Sequence, residues 1–119
     1  MALKLTIGDV IDVPVKGSVK DGGKDVDFRF TLQARRISTE AYREQFGSES
    51  ELTKREVLEQ HITGWKGQRL VVDEDDQPAP FSAEAFGLLM SVVGMEDTIL
   101  VAYLKALQIS ETSAGRAKN

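Results

Sequence analysis

Between Val26 and Arg35 the chain reads VDFRFTLQAR, with Val26, Phe28, Phe30, Leu32 and Ala34 on one parity and Asp27, Arg29, Thr31, Gln33 and Arg35 on the other. A period of two held over ten residues fits an extended strand with one dry face and one wet face; on a helix the same apolar residues would scatter around the axis. Upstream, Ile11, Val13 and Val15 alternate with Asp12, Pro14 and Lys16, and KDGGKD (Lys20 to Asp25) lies between the two runs. Asp21-Gly22-Gly23 supplies positions that tolerate positive φ, so the spacing predicts a β-hairpin. Pro14 has no N–H to give to a ladder, which places the first strand at a sheet edge. Leu3, Leu5 and Ile7 continue the alternation backward and predict a short preceding strand.

From Ser38 the period changes. STEAYREQFG predicts a short helix capped by Ser38, with Glu40 in its first turn and Gly47 as its stop. Thr53 and Glu56 have capping-box spacing, and Leu58, Ile62 and Trp65 at i, i+4 and i+7 predict a second helix ending near Gly64 and Gly67. The β-branched run RLVV (Arg69 to Val72) predicts a strand, and DEDDQP predicts a turn. Ser82 caps a third helix with the stripe Phe86, Leu89, Met90 and Val93, stopped by Gly94; a fourth runs from about Glu96 to Gln108 with Ile99, Tyr103, Ala106 and Leu107 on one side. The class is therefore α+β: an N-terminal antiparallel hairpin or small sheet, then a mainly helical half with about four short helices. One domain is expected over residues 1–109, with a flexible polar tail, SETSAGRAKN, over 110–119.

Composition narrows the chemistry. No cysteine is present, which removes disulfides, thiolate metal sites and cysteine nucleophiles and suits an intracellular protein. Nineteen acids against fifteen bases leave a net charge of −4, and the bases are dispersed, so the basic stripe of a nucleic-acid binder is missing. No apolar run approaches the roughly 18 residues of a membrane span, and the N-terminus lacks the pattern of a signal peptide. The acidic run Asp73 to Asp76 has ligand-like alternation at Asp73, Asp75 and Gln77, but Pro78 stands where a calcium loop requires glycine, so the run is read as a solvated turn feeding Ser82. His61, the single histidine, has no recognisable nucleophile motif to serve. The glycines form neither GxxxxGK[ST] nor GxGxxG. No catalytic, cofactor or metal residue is singled out, and a small binding module is the expectation. Its candidate interface residues are Tyr42, Phe46, Trp65, Phe81, Phe86, Met90 and Tyr103, aromatic or adaptable side chains that serve either core or partner.

The order of features carries a resemblance. A strand running into a short S/T-E-x-Y/F-type helix (VDFRFTLQARRISTEAYREQ), a segment ending ITGWKG, the stretch DEDDQPAPFSAEAFGLLMSVVG and an ending AYLKALQ are similar to the small tail assembly chaperones of long-tailed bacteriophages and prophages. The likeness covers about residues 10–108 and rests chiefly on Trp65, Asp73 to Asp76 and Pro80-Phe81-Ser82; Asp76 stands where related chains tend to carry glycine. The resemblance implies a non-catalytic protein of the host bacterial cytoplasm. It would form homo-oligomers, bind the tape-measure protein and tail-tube protein during tail assembly, and need no cofactor, nucleic acid or membrane. Two alternatives stand beside it: another small virion part, such as a tail-tube or tail-completion protein, and a small hydrolase or metal-dependent enzyme using His61 or the acids of Asp73 to Asp76.

Overall fold

A computed structural model describes residues 2–109, and it has the expected α+β class. Strand β1 (Val10–Asp21) and strand β2 (Lys24–Arg35) form an antiparallel hairpin in unbroken register from Val10 opposite Arg35 to Asp21 opposite Lys24. Two residues close it, and Gly22 takes the left-handed conformation that the tight turn demands, with φ 63°. Helix α1 (Thr39–Phe46) and helix α2 (Lys54–His61) follow, then strand β3 (Ile62–Lys66), helix α3 (Ala83–Met90) and helix α4 (Met95–Leu107). The sheet order is β1-β2-β3, so Pro14 lies on an edge strand as its missing donor requires.

The dry face of the hairpin supplies Val13, Val15, Phe30, Leu32 and Ala34 to the core, where Leu58 and Ile62, α3 residues Phe86, Leu89 and Met90, and α4 residues Met95, Ile99 and Tyr103 close over them. Met95, Ile99 and Tyr103 recur every four residues, which places one stripe of α4 on the sheet. Burial follows the alternation only in the proximal half of the hairpin. Phe28 is half-buried and Val26 exposed, so the distal half reaches beyond the helices. There the Phe28 ring lies over Gly17, its cross-strand partner, so closely that a Cβ at position 17 would come within 2.6 Å of it.

The capping signals hold. Ser38 Oγ accepts from Ala41 N–H, Ser82 Oγ accepts from Ala85 N–H, and the Thr53–Glu56 box is complete in both directions. Gly47 ends α1.

Four expectations are corrected. The second helix stops at His61, and Ile62–Lys66 is strand, not the continuation of a helical stripe. The cause is a β-bulge: β3 pairs Ile62 with Ala34 and Trp65 with Leu32, with a register shift between, so two residues three apart both join the core side. RLVV is no strand. Val72 makes one isolated bridge to Pro78, and the backbone around Val71 bonds to a side chain instead. Leu3, Leu5 and Ile7 are unpaired and exposed, since the ladder begins at Val10. Finally, α3 ends at Met90, a turn earlier than Gly94; Gly94 has φ 92° and is instead the residue from which α4 starts. The expected tail over 110–119 lies outside the described residues.

Candidate binding groove

The segment between β3 and α3 shows how the residues behind the resemblance are used. Gln68 is the one buried polar side chain among the described residues, 2% exposed, and its amide is fully engaged. Oε1 accepts from the N–H groups of Leu70 (3.1 Å) and Val71 (2.8 Å), while Nε2 donates to the carbonyls of Val71 (2.8 Å) and Ala79 (3.2 Å). One side chain thus satisfies a backbone that has no sheet partner. Trp65 Nε1 also donates to Ala79 O at 3.0 Å, and the Trp65 ring meets Phe81 edge-on at 5.2 Å between centroids. The acids form the outer turn: Asp73 Oδ1 accepts from the N–H groups of Asp75 and Gln77, and Asp73 N–H donates to Gln77 O. Asp76 has φ 60°, the conformation glycine adopts most freely, which explains why an Asp is tolerated at a glycine-favouring position. Among the described residues no cluster of three or more His, Asp or Glu is arranged to hold a metal ion.

His61 is half-buried at the end of α2. Its Nε2 donates to Gln45 Oε1 at 2.6 Å, and its ring stacks on Tyr103 at 5.9 Å. Burial holds its pKa below the ordinary value, with the positive charge of Arg35 adding to the effect. Tyr103 donates its hydroxyl to Arg35 O at 2.7 Å, and burial pushes its pKa up to about 12. These contacts tie α1, α2 and α4 to the end of β2. They leave His61 joined to an amide and an aromatic ring, and among the described residues no hydroxyl is in hydrogen-bonding contact with it.

The seven candidate interface residues divide. Phe86, Met90 and Tyr103 are core. Phe46, Trp65 and Phe81 are half-buried, packed against that core from outside. Tyr42 is exposed, its ring tilted against Phe46 at 5.0 Å on α1, a helix with no buried residue. They do not converge on one surface: Trp65 and Phe81 share the loop described above, while Tyr42 and Phe46 lie on α1.

A separate concavity lies elsewhere. A groove of about 880 Å³ opens between α4 and the middle of the hairpin. Val15 and Phe30, both core side chains, lie beneath it, Val101, Ala102 and Ala106 form its helical wall, Lys105 lines it as an exposed cation, and Lys16 and Arg29 border it from positions of the opposite, wet-face parity of the hairpin. Val101 is 59% exposed, an apolar side chain on the α4 flank that faces no core residue. Asp97, the acid of the groove, is held by Lys54 of α2. None of the lining residues was in the candidate set. The signal was present in α4, where Leu100, Val101 and Leu104 make the helix apolar beyond the Ile99/Tyr103 stripe that packs on the sheet.

No helix among the described residues is long and apolar enough to cross a membrane, and α3 and α4 meet at a bend of 108°. No protein-family model, curated protein or solved structure matches the chain.

Proposed function

We propose that this protein is a tail assembly chaperone of a phage or prophage, a non-catalytic module that binds the tape-measure protein and tail-tube components while a tail is built. The observation that carries the reading is the open groove between α4 and the hairpin, whose α4 wall leaves the apolar Val101 59% exposed. Its α4 wall runs from Asp97 to Ala106, about 13 Å or two and a half helical turns. That matches the apolar stripe a long amphipathic helix presents at i, i+3 or i+4, and i+7. The resemblance adds support: Trp65 and Phe81 meet beside Gln68 through Ala79, the Asp73 turn closes on itself, and Ser82 caps α3.

Coexpression with a long helical tape-measure protein tests the reading. The wild-type chain is expected to keep the tape measure soluble and to copurify with it. Val101→Glu keeps α4 intact, because position 101 is exposed and a glutamate there gains Lys105 at i+4; it is expected to lose capture while melting within a few degrees of wild type. A tape measure left insoluble by the wild-type chain, or captured equally by Val101→Glu, contradicts the proposal.

A further inference from the structure

We infer that residues 2–7 of one copy of this chain add as a strand to the open edge of β2 in a second copy, linking protomers head to tail; the contact does not depend on the chaperone reading. The vacancy lies in the distal hairpin. Strand β3 covers β2 only from Thr31 to Ala34, so among the described residues positions 24–30 are paired on the β1 side alone. Thr31 faces Lys66 on one side and Pro14, which has no N–H to give, on the other, so its peptide groups turn toward β3. By the same alternation Asp25, Asp27 and Arg29 direct their N–H and C=O groups off the sheet edge, where no main-chain partner among the described residues meets them. The dry face beside them is incompletely covered. Val26 is 38% exposed, and the Phe28 ring leans over Gly17 of β1, away from this edge.

The segment that fits is itself unpartnered. Leu3, Leu5 and Ile7 are 92%, 78% and 56% exposed and alternate with Lys4 and Thr6, the period of a strand, with no proline or glycine among them. Placed antiparallel with Lys4 opposite Asp27, residues 2–7 span positions 24–29, from the hairpin turn to the point where β3 begins. Leu3 then lies beside Phe28 and Leu5 beside Val26 on the dry face, while the Lys4 ammonium meets the Asp27 carboxylate on the wet face. The outer edge of β1 is a poorer host, because Pro14 interrupts its row of donors.

A chain cannot reach its own vacancy. Asp9 O accepts from the Arg36 N–H at 2.6 Å and Gly8 O from Arg36 Nε at 3.2 Å, which holds the root of the segment at the base of the hairpin. Val10 is level with Arg35, eleven residues or about 37 Å along β2 from Lys24. Ile7 is three residues from Val10, a reach of at most about 11 Å. The donor is therefore another copy. Since root and vacancy lie at opposite ends of the hairpin, the contact is heterologous and repeats from copy to copy, as a ring or a filament.

Disulfide trapping on the full chain tests this, because the protein has no cysteine of its own. Lys4→Cys and Asp27→Cys chains, mixed and mildly oxidised, are expected to give a covalent dimer, and the doubly substituted chain a series of higher species. Lys4→Cys mixed with Lys16→Cys on β1 or Thr63→Cys on β3 is expected to cross-link several-fold less. In sedimentation the wild-type chain is expected to exceed the monomer, and Leu5→Asp, at an exposed position, to return it to the monomer with an unchanged circular dichroism spectrum. Lys4→Asp is expected to raise the dissociation constant several-fold, and Asp27→Lys in the same chain to restore it. A monomeric wild-type chain overturns the inference, as does trapping that favours β1 or β3 over position 27. So do oligomers that Leu5→Asp leaves intact, or a Lys4→Asp loss that Asp27→Lys leaves unrestored.

Discussion

Gln68 shows how one side chain can hold a loop that has no ladder. Replacing it with Leu keeps the volume but orphans the buried N–H groups of Leu70 and Val71, while the carbonyls of Val71 and Ala79 retain the N–H groups of Ala79 and Trp65. Two unsatisfied donors cost about 1–3 kcal/mol each, so Gln68→Leu is expected to lower unfolding free energy by roughly 2–4 kcal/mol in urea titration. A loss below about 0.5 kcal/mol would mean water replaces the amide. No local pattern marked this residue, because its worth depends on Ala79, eleven positions away. The His61 pair makes a second expectation. Its neutral form is favoured in the fold, so the unfolded chain takes up a proton near the ordinary value of 6.5 while the folded chain resists until lower pH. Stability is therefore full above that value and falls as pH drops through the window beneath it. The lowered pKa of Glu56, set by its bonds to Thr53, acts in a separate window below its ordinary 4.5. His61→Gln is expected to remove the upper slope from a series of melting temperatures and to leave the lower one.

At the scale of elements, caps and turns were legible because each is written within a few consecutive residues. Thr53 and Glu56 bond reciprocally as their spacing requires, and Thr53→Ala is expected to destabilise by about 1 kcal/mol in thermal melts, with Glu56→Ala similar. Gly94, at φ 92°, is the corresponding backbone test: Gly94→Ala is expected to cost about 1 kcal/mol or more, since an alanine gains unfolded-state order but meets left-handed strain at the start of α4. The long alternation of β2 was legible for the same reason. Strand β3 was not. Its bulge places Ile62 and Trp65 together on the core side three residues apart, a spacing that a helix produces without any irregularity. Periodicity alone cannot separate the two, and Thr63-Gly64, a β-branched residue and a glycine, was the local cue toward strand.

For the whole molecule, the core could be outlined from stripes, but the groove could not. It joins Val15 and Phe30 to Val101 and Ala102, residues some seventy or more positions apart, and exists because the Ile99/Tyr103 stripe seats α4 so that its other apolar flank stays open. The candidate residues drawn from aromatic and methionine content went instead to the core, to the loop around Gln68 and, for Tyr42 and Phe46, to α1. The claim that unites the molecule is that this flank of α4 and the facing strands exist to hold a helix from another chain. Amide chemical-shift mapping of the isotope-labelled protein, with and without a soluble tape-measure segment, tests it most directly. Perturbations are expected to gather at Val15, Phe30, Val101, Ala102 and Lys105, with the Trp65–Phe81 loop quiet. A spectrum that does not change, or changes centred on that loop or on α1, would contradict it.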